Sequence, residues 1–377
     1  MSQTKLPGAI GALLAIIPAG LALTQTFSLS GFDPVIPLPA LHSLAPSVVA
    51  LQVLCVLLAA LPLRSLFGSL PLLLCSVLAG VVLLVLVPSG ESEPGTAFWL
   101  LCIAQFLLVR TSVQRLAMLD QPSWAASLTA VFFGFWALYF WQLLVTAFAV
   151  PRVLLPAPVD IFIALFTETE KLGGDFVQTV LKSVLTGYVL GCGLGIATGI
   201  AIERSLFLQR GLLPIASLTS TIPLVGVAPI AVMWFGFDWP SKVAVVVLMT
   251  FFPAMVSTLA GLGAAGKLER ELMHSYAASP RQQLLALRLP AALPFIFGAL
   301  KVNASLALIG AIVAEFFGSP TAGLGFRIST EASRMQMPLV WAAIVLSAIV
   351  GSVLYALLVR IERRVNFWHP SVRAAQP

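Results

Sequence analysis

Charge is scarce in this sequence: 21 Lys and Arg and 15 Asp and Glu make up 10% of its 377 residues, against 59% hydrophobic. A soluble domain of this length cannot cover its surface with so few charges, so a water-soluble protein is excluded. Histidine is rarer still. His42, His274 and His369 all fall in connecting segments, which leaves apolar runs without the base or metal ligand an intramembrane enzyme needs. The four cysteines, Cys55, Cys75, Cys102 and Cys192, lie inside apolar runs with no CxxC and no companion histidine. They are read as packing residues, not as a metal site or a disulfide frame. No GxxxxGKS/T occurs, so any nucleotide must be hydrolysed by another chain.

What the sequence has in quantity is apolar runs of about 20 residues, the length a hydrocarbon core about 30 Å thick demands. Ten are expected as membrane spans: 8–27, 44–63, 66–88, 97–116, 125–149, 177–202, 211–235, 242–262, 293–318 and 339–360. The fold class is therefore all-α, a polytopic membrane bundle. A net charge of +6 could suggest nucleic acid, but in a membrane protein the placement of Lys and Arg matters more than their sum. With a cytoplasmic N-terminus, fourteen of the 21 fall in inside loops, while the first two outside loops, 28–43 and 88–96, hold none and carry Asp33, Glu91 and Glu93. Both termini are expected in the cytoplasm, and no nucleic-acid partner is expected. Residues 1–27 have no convincing A-x-A cleavage site and read as a retained first helix.

The character changes along the chain. Spans before residue 120 are rich in Leu and Val and poor in mid-span polar groups, and read as packing helices, an accessory region of about four helices over 1–120. From 121 to 377 polar residues enter the spans. Segment 151–176, ending at Gly173-Gly174, carries Ile161, Phe162, Leu165 and Phe166 opposite Glu168, Glu170 and Lys171. It reads as an amphipathic helix at the outer interface or as an ordinary, partly buried loop helix. Gly187, Gly191, Gly195 and Gly199 recur every four residues and give one helix face on which another can pack closely. Span 211–235 holds Pro214, Pro223 and Pro229, with Ser217, Thr219, Ser220 and Thr221 around the first kink. Prolines free backbone carbonyls that in lipid must face protein, hydroxyls or a wet cavity, so this span is a pathway candidate. Asn303, Ser305 and Glu315 are further candidates. Each of these polar residues is also a common interhelical hydrogen-bonding group.

The most informative stretch is the loop 263–292. Leu268, Leu272 and Tyr276 at i, i+4 and i+8 predict a short amphipathic helix with Glu269, Arg270, Glu271 and His274 on its other faces. Ser279, Pro280 and Gln282 form a capping box with proline at the first helical position, so a second short helix starts there and ends near Pro290. Two short helices joined at Tyr276–Ser279 make a knob suited to another protein's groove or to the lipid surface.

This loop resembles the coupling-loop signature of binding-protein-dependent ABC importer permeases, E-A-A, three residues, G, nine residues, I-x-L-P. Glu271 stands at the Glu, Ala277 at the Gly, and Leu289-Pro290 at the closing Leu-Pro; Leu272, Met273 and Leu287 depart from it. Leu155-Pro-Ala-Pro158, Ile222-Pro223, Trp234-Phe-Gly236, Leu289 to Pro294, and Ala314-Glu315 followed by Gly323-Leu-Gly325 resemble the nitrate/sulfonate/taurine branch, together covering about 125–365. The resemblance implies a six-helix type I permease core in a bacterial inner membrane. It also implies a permease homodimer, two ATP-binding subunits holding ATP and Mg, and an extracytoplasmic binding protein, with no cofactor in this chain. Tyr276, Ala277, Ala278, Ser279 and Pro280 would then contact the ATPase. The solute would be small and polar or anionic: a sulfonate, taurine, nitrate or a vitamin precursor. Two rivals remain, an ion-coupled secondary transporter using Lys182, Lys301 or Glu315, and a structural subunit of a membrane complex.

Overall fold

The computed structural model describes residues 48–58, 66–85, 96–118, 123–203, 205–219, 223–318 and 321–368. The expected first span, 8–27, and the candidates Ser220 and Thr221 lie outside these residues. The described residues are helical, without strands. Five helical stretches among them are long and apolar enough to cross a membrane: Ser127–Ala147, Thr169–Ile202, Trp239–Gly263, Pro280–Gly318 and Met337–Val365. The chain is thus an all-α, multi-pass membrane protein. It divides into two compact units, Met1–Asp160 and Ile161–Pro377.

The first unit holds α1 (Val48–Leu58), α2 (Leu66–Val85), α3 (Thr96–Met118) and α4 (Ser123–Ala147). Its core gathers Leu83, Phe98, Leu101, Trp136, Tyr139 and Leu143. Polar residues are present but turned inward. Gln52 Nε2 donates to the Leu101 carbonyl at 3.1 Å, Gln105 Nε2 to Ser76 O at 2.9 Å, and the Tyr139 hydroxyl to Gly80 O at 2.8 Å. In a bilayer such bonds join helices where lipid offers the backbone nothing in exchange. These helices are joined partly by side-chain amides that composition alone understates.

The second unit follows from α5 (Pro158–Thr167), which spans the division between the units. Then come α6 (Thr169–Ile202), α7 (Leu206–Thr219), α8 (Leu224–Phe235), α9 (Trp239–Gly263), α10 (Lys267–Ser275), α11 (Pro280–Gly318), α12 (Leu324–Ser333) and α13 (Met337–Val365). α9 packs along both α6 and α11, and α13 closes against α11 and α12. The four-residue glycine stripe of α6 meets α9. A Cβ on Gly187 would fall 2.6 Å from Val246 Cβ and one on Gly199 2.9 Å from Thr258 Cβ, while Gly191 and Gly195 face Thr250 and the Phe251 carbonyl. Residues 246, 250, 254 and 258 of α9 supply the matching ridge.

Three expectations are corrected. Span 211–235 is not one kinked helix but two, α7 and α8; Pro223 is extended (φ −67°, ψ 116°) just ahead of α8, where its ring cannot join a helix from the N-terminal side. Gly173 and Gly174 do not end the interfacial segment. The break comes earlier, at Glu168 (φ −101°, ψ 29°), and both glycines lie inside α6, which starts well before residue 177. The second loop helix does not end at Pro290. It runs on as α11, because a π-helical turn at Leu284–Arg288 widens the helix just ahead of the proline ring and takes up the clash.

Candidate functional site

At the first end of α11 the knob is built as the sequence pattern requires. α10 stops at Tyr276 (φ −83°, ψ 11°), and Ala277 turns the chain with a left-handed backbone (φ 52°). Ser279 then caps the next helix: its hydroxyl accepts from Gln282 N at 3.4 Å, and Gln282 Oε1 accepts from Ser279 N at 2.7 Å, with Pro280 following. The left-handed residue explains why the resembled signature has glycine there. A non-glycine residue in that region costs about 1–2 kcal/mol. Ala277→Gly is accordingly expected to stabilise the knob by about 1 kcal/mol, read as slower amide exchange of Ala277 to Gln283; exchange that is unchanged or faster would contradict the strain.

The knob is exposed at its tip and fixed at its base. Leu268, Leu272 and Tyr276 form an uncovered ridge, 76%, 57% and 79% exposed, with Glu271 beside it in a loose pair with Lys267 (3.7 Å). At the base, Arg288 Nε donates to Leu262 O at 3.1 Å and the same guanidinium pairs with Glu203, tying the start of α11 to the ends of α9 and α6. Leu284 and Leu289 pack on Leu262, Ala292 and Ile296, and a Cβ on Gly261 would meet Ala292 Cα at 2.8 Å. Pro290 lies within α11. Pro280, Leu289 and Pro290 thus lie on one continuous helix, with Ser279 as its N-cap.

Asn303, Ser305 and Glu315 of α11 are not brought together. Ser217 and Thr219 fall in the last turns of α7, and Pro223 is exposed at the start of α8. Asn303 is fully buried, donating to Thr250 O at 2.8 Å and to Cys192 Sγ at 3.2 Å; Ser305, two residues on, is exposed on the other face of α11. Glu315 is enclosed at the far end of α11, accepting from the Thr179 hydroxyl at 2.8 and 3.0 Å and from Gly325 N at 2.8 Å. Asn303 and Glu315 are thus both engaged in interhelical hydrogen bonds. Of the residues weighed for ion coupling, Lys301 is taken by Glu362 (2.7 Å) and Lys182 is exposed.

Residues the sequence reading passed over dominate this far end. Lys242 is fully buried in the first turn of α9, and its ammonium donates to Phe237 O at 2.6 Å, to Asp238 O at 3.2 Å and to Gly318 O. Asp238 caps α9, and the N–H of Trp239 and the Gln178 amide hold its carboxyl below the usual range. Asp175 binds Arg327 (Nε–Oδ2 2.7 Å), and Arg327 also reaches Glu331. The signal available in sequence was the isolated charge in an apolar context: Lys242 is the first residue of the expected span 242–262.

Comparison with known proteins agrees with this arrangement. Residues 187–367 match the family of binding-protein-dependent transport system inner membrane components. A Haemophilus influenzae protein named as an ABC transporter permease is 33% identical over 218 residues, 58% of this chain and 88% of its own. The formylaminopyrimidine transport permease of Halalkalibacterium halodurans is 32% identical over 215 residues, 57% of this chain and 86% of its own. A Bacillus subtilis protein named for aliphatic sulfonate transport is 31% identical over 234 residues, 61% and 84%. A membrane bundle that shares a third of its residues with such a protein over most of that protein's length is a member of its family: the chain belongs to the binding-protein-dependent ABC transporter permeases, transport subunits that are not themselves enzymes and that work with separate ATPase and substrate-binding components.

Proposed function

We propose that this permease admits a small polar or anionic solute, of the sulfonate, taurine or vitamin-precursor kind, and that loop 263–292 is its ATPase contact. Relatives named for aliphatic sulfonate and formylaminopyrimidine transport support the solute class. The observation that carries the coupling role is the ridge of Leu268, Leu272 and Tyr276, left open to a partner on a base locked by Arg288. Two permease copies would form the pathway and two ATPase subunits, holding ATP and Mg, would grip the two knobs. Glu271, Tyr276, Ala277, Ala278, Ser279 and Pro280 meet the ATPase, and Leu289 and Pro290 pass its movement into α11. The knob faces the cytoplasm with both termini, in a bacterial inner membrane. Ser217, Thr219, Ser220, Thr221, Pro223, Asn303, Ser305 and Glu315 are the candidates to line a route. Residues 1–120 are an accessory membrane region.

A cysteine scan across Tyr276–Ser279 tests the contact. Cross-links to the ATPase are expected at two or more positions, and Leu272→Asp is expected to weaken assembly with the ATPase at least tenfold, by placing a charge in the centre of an apolar contact. A scan with no ATPase cross-link would remove the coupling role.

A further inference from the structure

Helix α12 begins without a cap of its own. Its N-cap residue, Gly323, has no side chain, and its backbone (φ 135°, ψ 149°) is one that only glycine adopts readily. The N–H groups at that end are nevertheless satisfied, and by two other helices. Gly323 N donates to Asp175 Oδ1 at 2.8 Å and Leu324 N to Thr179 Oγ1 at 2.7 Å, both on α6, while Gly325 N donates to Glu315 Oε2 on α11 at 2.8 Å. The Thr179 hydroxyl closes the set by donating to the same Glu315 carboxylate. The fit is tight: a Cβ on Gly323 would come 2.6 Å from Glu315 Cδ, and one on Gly325 2.9 Å from Glu315 Cβ. Helix ends normally find their caps nearby in sequence, in the residues just ahead of the helix. Here the cap exists only while α6 and α11 keep one mutual register.

That register is linked to the knob. α11 is continuous from Pro280, inside the knob, to Gly318, so Glu315 stands about 50 Å along the same helix at ~1.5 Å per residue. α6 carries a π-helical stretch, Val177–Leu185, that begins between Asp175 and Thr179 and includes the latter. Wide turns of this kind mark places where a helix is locally re-registered, often at functional positions. Helix displacements of about 1–2 Å, ordinary in switching proteins, are enough to take a 2.8 Å bond out of range. Lys242, gripping the carbonyl of Gly318, holds the end of α11 to the α8–α9 junction, so motion of α11 is shared there as well.

We propose that Asp175, Thr179 and Glu315 are positioning residues of the transport cycle, which cap α12 from α6 and α11 in one state and release its first turn when α11 is displaced at the knob. The proposal rests on the coupling role of loop 263–292. It makes α12, at the end of the unit away from the ATPase contact, the element whose order reports the state of the partner.

Hydrogen exchange on the full transporter in lipid nanodiscs, with permease, ATPase and binding protein, tests it. Peptides covering 267–290 and 323–333 are followed without nucleotide and with ATP held on a hydrolysis-blocked ATPase. The 323–333 peptide is expected to exchange about tenfold faster in one state than in the other, the factor that one helix cap commonly represents. Thr179→Val, which keeps the shape and loses both bonds, should exchange fast in both states; Thr179→Ser should behave as the parent. Equal protection in both states while the 267–290 peptide responds to ATP would overturn the proposal, as would a parental response in Thr179→Val. Should Thr179→Val not assemble, the two-state comparison of the parent decides alone. A 267–290 peptide that gains no protection from the ATPase overturns the coupling role itself, and the capping proposal with it.

Discussion

Gly191→Ala lowers the unfolding free energy of the permease by about 3 kcal/mol, whereas Gly193→Ala, two residues on, leaves it unchanged or raises it by about 0.5–1 kcal/mol. The two substitutions are chemically identical and sit in the same helix. A Cβ on Gly191 would overlap the Thr250 hydroxyl and approach Val247 Cα and O at 3.0 Å, backbone that cannot turn aside. The Thr250 side chain is itself fixed by a 2.9 Å bond to Val246 O, so relief requires α6 and α9 to part. Parting them loosens every contact along the stripe, from Val246 to Thr258, because rigid helices separate as wholes. At Gly193 nothing lies within 4 Å, and alanine simply restricts the unfolded chain. Graded unfolding in mixed micelles, followed by circular dichroism, separates the two. Equal effects would mean that the stripe is not the contact surface.

The contrast also shows what the sequence makes legible and where it stops. Regular spacing carries over well: the glycines at 187, 191, 195 and 199, the Leu268-Leu272-Tyr276 ridge and the Ser279-Pro280-Gln282 box are each set by neighbours within one or two turns, so the pattern in the chain is the pattern in space. Helix ends next to proline were harder. Pro223 separates two helices while Pro290 lies within one, just after a π-helical turn whose Leu284 and Arg288 are held on α9 by contacts far away in the chain. The far-end network was invisible for a further reason. Asp175 and Arg327 are 152 residues apart, and Thr179 and Glu315 are 136 apart. No local rule pairs them. Polar groups in apolar spans point equally to a path and to interhelical glue, and the sequence alone does not show that Asn303 and Glu315 are enclosed between helices.

Asp175→Ala is expected to cost about 3–5 kcal/mol, the range for stranding a buried charge by removing its partner. Asp175 is 1% exposed and Arg327 13% by side chain. The carboxylate takes Arg327 Nε at 2.7 Å and a terminal guanidinium nitrogen at 3.3 Å, and it also accepts from Gly323 N, so its loss strands a cation and an N–H together. A lysine in that place could shed its proton and bury neutral. Arginine cannot, and its hydrogen bonds to Asp175 raise its pKa further. Glu331 offers partial cover at 3.3 Å, which keeps the loss from being larger. Asp175→Asn retains an acceptor for Gly323 and is expected to cost about half as much, near the 1.5–3 kcal/mol of a charged hydrogen bond. Removing the whole pair, as Asp175→Leu with Arg327→Met, is expected to recover most of the stability, since well-packed apolar groups replace buried ion pairs at little cost. Arg334→Ala, which removes a side chain 65% exposed in its pair with Glu331, is expected to change stability by less than about 0.5 kcal/mol. A double-mutant cycle over Asp175 and Arg327 in the same micellar unfolding measurement gives their coupling directly, and a value under about 0.5 kcal/mol would show that the pair does not hold α12 to α6.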